Sequence, residues 1–147
     1  MKAYLLDTNI ISETAPGRAI RDSEVVRWLE DHTDRLFLSV VTIAEIESGI
    51  ALAVRREARQ KARKLSAWLD AIIGLYGDRV LPMETSVARI AGRLSGDARA
   101  SGLAPGFADI AIAGTALHHK LTILSRNIRH FAPLGVSAID LFFHRPA

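Results

Sequence analysis

Short apolar segments alternate along the chain with longer stretches in which apolar residues recur every three or four positions. The short segments carry no polar alternation, which is typical of strands that are covered on both faces. We expect strands at residues 3–6, 36–39, 79–81 and 121–124, and a short edge strand within 136–140. Strands that alternate with helices predict a three-layer α/β/α fold, in which helices cover both faces of a small, mostly parallel sheet of four or five strands.

The intervening stretches predict helices from their periodicity and their boundary residues. Their expected ranges are 8–15, 23–31, 41–54, 65–76, 85–100 and 107–118. Residues 17–22 are expected to form an exposed loop, because Pro16-Gly17 ends the first helix. Ser23 is the expected cap of the second helix, while Thr42 and Glu45 have the spacing of a capping box.

The size and composition of residues 1–147 are those of a single globular domain. Hydrophobic residues make up 49% of the chain and the mean hydropathy is +0.16, which argues against disorder. The longest apolar runs are far shorter than the roughly 18 residues that cross a bilayer, and the N-terminus lacks a secretion signal. The chain has no cysteine, which excludes disulfides and Cys-based zinc sites and suits a reducing compartment. We therefore expect a cytoplasmic protein without a membrane segment.

The net charge of +3 is concentrated in one basic segment. Residues 55–64 carry a local charge of +5, so the rest of the chain sums to −2. The cations of this segment are Arg55, Arg56, Arg59, Lys61, Arg63 and Lys64. Such a patch can attract phosphate groups, but a solvated helix face would have the same composition, and both interpretations stay open.

Three carboxylates stand at positions that each have an ordinary local explanation. Asp7 could cap a helix, Glu45 could complete a capping box, and Asp109 could interact with a helix dipole. In a parallel sheet, however, the carboxyl ends of the strands and the N-termini of the following helices lie at one edge. We therefore expect the three carboxylates to converge there, joined by Ser125 and Asn127 after the fourth strand.

Convergence of carboxylates costs free energy unless a cation or a shared proton relieves the repulsion. Two carboxylates about 4 Å apart repel by roughly 4 kcal/mol at an effective dielectric constant of about 20. Carboxylate oxygens without Cys or His ligands suit Mg²⁺ or Mn²⁺, which can activate a water and stabilise charge on a phosphoryl group. The sequence has neither a Walker loop nor a GxGxxG motif, so nucleotide-driven chemistry is not indicated.

Four segments share their order and spacing with one known family: LLDTNIISE, SVVTIAEIESGI, PGFADIAIAGTAL and LTILSRNIRHF. They resemble the PIN-domain ribonuclease toxins of the VapC/FitB type, and the resemblance covers about residues 3–142. It implies a compact α/β/α fold, usually a homodimer, and the Mg²⁺- or Mn²⁺-dependent endoribonuclease activity of a type II toxin–antitoxin system. It also implies neutralisation by a cognate antitoxin. Antitoxins of this class commonly carry a DNA-binding domain, so that the complex often represses its own promoter.

The resemblance implies roles for individual residues at the start of the site. Asp7, Glu45 and Asp109 match the three acidic metal-site residues of the family. Thr8 and Asn9 match the polar pair that follows the first of them.

The resemblance is less complete after the last buried strand. Ser125 matches a hydroxyl residue near the site, but the further acidic residue that the family often has is replaced here by Asn127 and His130. Asn127 can offer a carbonyl oxygen or hold a water without adding charge. Whether one or two metal ions bind stays open, as does the choice between a structural and a chemical role for His130.

Our hypothesis is that the three acidic residues bind Mg²⁺ or Mn²⁺ and orient a water for in-line attack on an RNA phosphodiester. Arg126 is expected to guide the RNA backbone, together with Arg55, Arg59 and Arg63 of the basic segment. Two alternatives stay open. One is a metal-dependent DNA nuclease of related fold, and the other is a catalytically weak subunit that acts mainly in an antitoxin-bound DNA-repressor complex.

Overall fold

The computed structural model describes residues 1–17 and 22–147, and its centre is a parallel β-sheet. In these ranges the sheet has five strands in the order β3-β2-β1-β4-β5. They are β1 (Tyr4–Leu6), β2 (Leu36–Ser39), β3 (Val80–Leu81), β4 (Thr122–Leu124) and β5 (Ala138–Ile139). Every neighbouring pair is parallel, so all the strands end at the same edge of the sheet.

The helices connect the strands and cover the sheet. They are α1 (Thr8–Ile11), α2 (Ser23–Asp31), α3 (Val40–Arg55), α4 (Arg59–Tyr76), α5 (Thr85–Ala100), α6 (Phe107–His119) and α7 (Ile128–Phe131). Short 3-10 turns lie at Ser12–Thr14, Thr33–Arg35, Gly77–Arg79 and Ala132–Leu134. In the part of the chain that the structure describes, no helix combines the length and the apolar character needed to cross a bilayer.

Alternate side chains of β1 enter two separate cores. Tyr4 and Leu6 pack on one side of the sheet with buried residues of β2, α2, α3 and α4. Leu5 points to the other side, where it joins buried residues of β4, α5 and α6. This alternation follows from the two-residue period of a strand. The prediction of a sheet between two helical layers is therefore confirmed.

The small residues of α6 allow this helix to pack closely against α5. A Cβ atom added to Gly114 would lie 3.2 Å from the Cβ of Ala91 and 3.2 Å from the carbonyl oxygen of Val87. Both distances are shorter than ordinary carbon contacts, so the close helix pair depends on glycine at this position. This contact therefore sets how closely α6, the helix that carries Asp109, packs against α5.

One predicted helix cap is wrong, and one of the two interpretations of Glu45 does not hold. Asp22, not Ser23, caps α2, because its carboxylate accepts hydrogen bonds from the backbone N–H groups of the next turn. The box of Thr42 and Glu45 does not form, because the cap of α3 is Ser39, three residues before Thr42, and its Oγ accepts the N–H of Val41 at 3.0 Å. Of the loop expected at residues 17–22, positions 18–21 lie outside the described residues.

Candidate metal-dependent active site

The pairing of β1 with β4 brings two polar residues together at the carboxyl edge of the sheet. Leu6 is in register with Leu124, and the next residues along the two strands are Asp7 and Ser125. The N–H of Asp7 also donates to the carbonyl oxygen of Leu124 at 2.9 Å. The backbone ladder itself therefore places the two side chains next to each other.

The Asp7 carboxylate is buried and held by three donors. The Ser125 hydroxyl donates to Oδ2 at 2.7 Å, and the side-chain amide of Asn9 donates to the same oxygen at 3.4 Å. The backbone N–H of Thr8 donates to Oδ1 at 2.9 Å, so Asp7 is also the N-cap of α1. The cap and the candidate metal ligand are thus the same carboxylate, and the cap fixes its orientation.

The loop after β4 strengthens this arrangement. Ser125 is fully buried, and its hydroxyl accepts the backbone N–H of Asn127 at 2.9 Å while it donates to Asp7. The side-chain oxygen of Asn9 accepts the N–H of Arg126 at 3.2 Å. Asn127 therefore contributes to the site through its backbone N–H.

Glu45 reaches the site from the second turn of α3. Its side chain is exposed, and its Oε1 accepts the hydroxyl of Thr8 at 2.5 Å. Thr8 Oγ1 is also hydrogen-bonded to the hydroxyl of Thr42 at 3.3 Å. Thr8, which directly follows Asp7, thus links the end of β1 to α3. In a capping box, Glu45 would instead have bonded to the backbone of its own helix.

Asp109 lies in the first turn of α6, and its side chain is 26% exposed. Its Oδ2 is 3.2 Å from Nδ1 of His130, which comes from α7. One of the two positions at which the family resemblance would place a further acidic residue is therefore His130, and its imidazole contacts Asp109.

The electrostatics of Asp7 connect the three carboxylates. Burial raises the pKa of Asp7 above its ordinary value, and the hydrogen bonds from Ser125 and Thr8 offset part of the rise. The negative charges of Asp109 and Glu45 raise the pKa of Asp7 further. Asp109 and Glu45 are therefore close enough to Asp7 for their charges to act on it.

The donor set suits a hard divalent cation, which prefers carboxylate and other oxygen ligands. Within residues 1–17 and 22–147, no three acidic or histidine side chains are arranged closely enough to hold a metal ion among themselves. An ion at Asp7 would therefore take waters for several ligand positions, as Mg²⁺ commonly does. The exposed Glu45 side chain is free of close packing and can adjust to such an ion.

The expected RNA-guiding cations lie in three different surroundings. Arg126 is next to the site, but its guanidinium is 3.8 Å from the Glu13 carboxylate and stacks 4.3 Å from the centre of the Phe142 ring. Glu13 is 2% exposed, and sequence reasoning missed it although it ends the LLDTNIISE segment. Arg59 and Arg63 line a cavity of about 480 Å³ between α3 and α4, and Arg55 is exposed at the end of α3.

Two other cations of the basic segment share a groove with the site. This groove of about 500 Å³ is lined by Thr8 and Glu45 at one end and includes Arg56 and Lys61. Arg56 caps the end of α3 and Lys61 lies in the first turn of α4. Their position depends on the turn between the two helices, and no local pattern separates them from the other basic residues.

Comparison with known proteins agrees with this geometry. The PIN domain family model matches residues 4–134. Toxin FitB of Neisseria gonorrhoeae is 34% identical over 138 residues, which are 92% of this chain and 96% of FitB. VapC ribonuclease Y4jK of Sinorhizobium fredii is 33% identical over 139 residues, which are 92% of this chain and 95% of that protein.

The fold agrees as well. The solved structure of FitAB bound to an IR36 DNA fragment matches with a TM-score of 0.80 and 32% identity, over 92% of this chain and 93% of that one. The resemblance predicted from four short segments is therefore confirmed over nearly the whole chain. This chain belongs to the PIN-domain family, among the toxins of the FitB and VapC type.

Proposed function

We propose that this chain is the toxin of a type II toxin–antitoxin system, an endoribonuclease that hydrolyses RNA phosphodiester bonds with Mg²⁺ or Mn²⁺. Its similarity to a FitB toxin and to a VapC ribonuclease supports the activity. PIN-domain ribonucleases are generally dependent on divalent metals. The observation that carries the proposal is the buried Asp7 carboxylate at the carboxyl edge of the sheet. The negative charges of Asp109 and Glu45 repel its charge and raise its pKa.

Asp7, Glu45 and Asp109 are the proposed metal ligands and catalytic residues of this domain. A bound divalent ion supplies a water of lowered pKa and stabilises negative charge on the phosphoryl oxygens. The residues around the ligands orient them. Ser125 and Asn9 fix the direction of the Asp7 carboxylate by donating to Oδ2. Such supporting hydrogen bonds commonly matter nearly as much as the ligands themselves.

The other polar residues contact the proposed ligands or the residues that orient them. Thr8 holds Glu45 beside Asp7 through its hydroxyl. Asn127 supports the Ser125 hydroxyl with its N–H, and it brings no charge to the site. His130 contacts Asp109 directly and is a candidate for positioning that carboxylate.

The RNA backbone is proposed to approach along the basic surface near the groove that contains Glu45. Arg56 and Lys61 line this groove, so they supplement the predicted guides Arg55, Arg59 and Arg63. Arg126 contributes a positive charge beside Asn9, although Glu13 and Phe142 hold its guanidinium in place. Contacts of this kind give affinity without sequence preference.

The proposed partners are a cognate antitoxin with a DNA-binding domain, a second copy of this chain in a homodimer, and RNA as substrate. The structural relative FitAB is bound to a DNA fragment, which supports a DNA-binding complex. The proposed location is the cytoplasm, where the RNA substrate is available.

The direct test is cleavage of single-stranded RNA by the purified chain with Mg²⁺ or Mn²⁺. We expect cleavage that EDTA stops and added metal restores. Asp7→Asn should remove cleavage while circular dichroism shows an unchanged fold. Asp70→Asn, on the exposed face of α4, is the matched control and should cut normally. Equal cleavage by the two variants, or cleavage in EDTA, would reject the assignment.

The alternatives are separated by two further measurements. Single-stranded and double-stranded DNA offered in parallel distinguish a DNA nuclease from a ribonuclease. Expression that arrests growth, with rescue by the partner and no arrest from Asp7→Asn, distinguishes a toxin from a catalytically weak repressor subunit.

A further inference from the structure

A pocket that shares no lining residue with the Glu45 groove lies against Asp109. Its volume is about 380 Å³, and it is lined by the loop of residues 103–106, the start of α6, and residues of α7 and the following turn. We call it the Asp109 pocket. Asp109 and His130, which contact each other at 3.2 Å, both line this pocket, so it shares Asp109 with the candidate active site.

The lining of the Asp109 pocket has an apolar part and a cationic part. Leu103, Pro105 and Leu134 supply apolar surface, and Leu103 remains 42% exposed. Arg129 supplies a positive charge on the opposite element, α7. Among the residues that the structure describes, no carboxylate pairs with Arg129, so its guanidinium is available to a ligand.

The imidazole of His130 contacts Asp109 and is also exposed to the pocket. Its Nδ1 is 3.2 Å from Asp109, which leaves the other ring nitrogen for a ligand, and its side chain is 44% exposed. An apolar wall with one free guanidinium and one exposed imidazole suits a heteroaromatic base attached to a phosphate. Flat bases pack on apolar side chains and on guanidinium planes, and Arg binds phosphate oxygens well.

The size and the position narrow the ligand further. Pockets that hold small organic ligands commonly begin at about 300 Å³, so the Asp109 pocket can hold one nucleotide rather than a helix or a folded partner. Because it adjoins Asp109, the occupant would be next to the phosphate that is cut. A single-stranded substrate can turn one base out of its stack into such a pocket.

From these observations we infer that the Asp109 pocket binds the ribonucleotide next to the scissile phosphate and contributes to the choice of cleavage site. The inference rests on the proposed ribonuclease function. Loss of the pocket should change which RNA positions are cut and how tightly RNA is held, while the metal site stays intact.

Binding can be measured without cleavage in the full-length Asp7→Asn protein. The probe is a fluorescently labelled single-stranded RNA that contains a site cut by the wild-type chain. Arg129→Ala removes the free cation, and Ala104→Trp fills the pocket from the loop. We expect each change to weaken RNA binding by about tenfold, because one stacked base or one charged contact contributes about that factor. Arg89→Ala and Ala88→Trp on the exposed side of α5 are the matched controls and should bind like the parent.

An abasic scan of the same RNA tests the base itself. Removal of one base beside the cleavage site should weaken binding to the parent by about tenfold and should have little further effect on Ala104→Trp. In the active enzyme, the two pocket variants should lose base preference at that same position. Circular dichroism checks that each variant is folded, and Arg129→Ala gives the test independently of the bulky substitution.

The possible results separate the pocket from the proposed function. If the wild-type chain cuts RNA but both pocket variants keep the parent's affinity and base preference, the pocket assignment is overturned and the ribonuclease remains. If the wild-type chain neither binds nor cuts RNA, both proposals are overturned.

Discussion

Asp7 and Glu45 reach the same corner of the sheet in opposite ways. Asp7 is 7% exposed, follows a central strand directly, and accepts hydrogen bonds from Ser125, Asn9 and the backbone of Thr8. Glu45 is exposed on a helix, and in the described part of the chain its carboxylate is held by the Thr8 hydroxyl alone. One carboxylate is fixed before any ligand arrives, and the other is adjustable.

The difference shows how a small domain can hold an incomplete ligand group. A buried carboxylate with three donors defines where an ion sits, at the cost of a raised pKa caused mainly by burial. An exposed carboxylate loses little hydration and can rotate towards an ion or a bound water. The fixed ligand should therefore be far more sensitive to changes in length than the adjustable one.

Among the changes that compare the two carboxylates, the largest expected effect comes from altering side-chain length while keeping the charge. Asp7→Glu should lower RNA cleavage by about 100-fold, because a displacement of about 1 Å can cost that much. Glu45→Asp should lower it by only about tenfold, because the exposed side chain and its waters can compensate. Cleavage rates at saturating Mg²⁺ measure both, and equal losses would remove the distinction between a fixed and an adjustable ligand.

The donors to Asp7 should rank next. Ser125→Ala removes the 2.7 Å bond to Oδ2 and leaves the Asn127 N–H without its acceptor. We expect a loss of about 10- to 100-fold in metal affinity or cleavage, as is usual for residues that orient a ligand. Ser125→Thr retains the hydroxyl and separates hydrogen bonding from packing. An unchanged metal affinity in Ser125→Ala would show that the Asp7 carboxylate does not need this donor.

Substitutions of Thr8 test whether Glu45, the adjustable carboxylate, depends on the hydrogen bond that it accepts. Thr8→Val keeps the shape but removes the hydroxyl that donates to Glu45, and we expect about a tenfold loss of cleavage. Thr8→Ser keeps the hydroxyl and should retain most of the activity. If Thr8→Val is as active as the wild type, Glu45 does not depend on this bond.

The smallest expected effect is on stability as a function of pH without metal. Because the pKa of Asp7 is raised in the folded state, the folded protein binds a proton that the unfolded chain has already released. The contribution of Asp7 to stability should therefore fall as pH rises from about 4 through the raised pKa. In EDTA, Asp7→Asn should melt at a higher temperature than the wild type at pH 7, and this difference should shrink towards pH 4.

One result of the melting experiment would contradict this prediction. A wild type that is more stable than Asp7→Asn in EDTA at pH 7 would mean that its hydrogen bonds outweigh burial and repulsion. Asp70→Asn controls for the loss of one negative charge, since Asp70 is exposed on α4.

The sequence was sufficient for the strands and for the position of Asp7. An apolar run that ends in Asp predicts a buried strand and a polar residue at its carboxyl end, and both depend on local pattern alone. The contact between Asp7 and Ser125 could not be predicted from local pattern, because it requires β1 to pair with β4. These strands are far apart in the chain: β1 ends at Leu6 and β4 begins 116 residues later at Thr122. The sequence analysis expected Ser125 at the same edge of the sheet as Asp7, but it did not predict that β1 and β4 are neighbours.

Other parts of the site depend on contacts that leave no local pattern. Ser39 caps α3, so the capping box of Thr42 and Glu45, one of the two interpretations of Glu45, does not form, and Glu45 accepts the hydroxyl of Thr8 instead. Arg126 was expected to guide the RNA backbone, and its contact with Phe142 from the C-terminal segment could not be predicted from local sequence. Tertiary contacts of this kind override the local propensity of a residue.

The central claim is tested most directly by calorimetric titration of Mn²⁺ into the metal-free wild-type, Asp7→Asn and Asp70→Asn proteins. We predict measurable binding to the wild type and to Asp70→Asn, and a loss of binding in Asp7→Asn. Equal Mn²⁺ affinity in all three proteins would contradict the claim that the buried carboxylate at the end of β1 holds the metal.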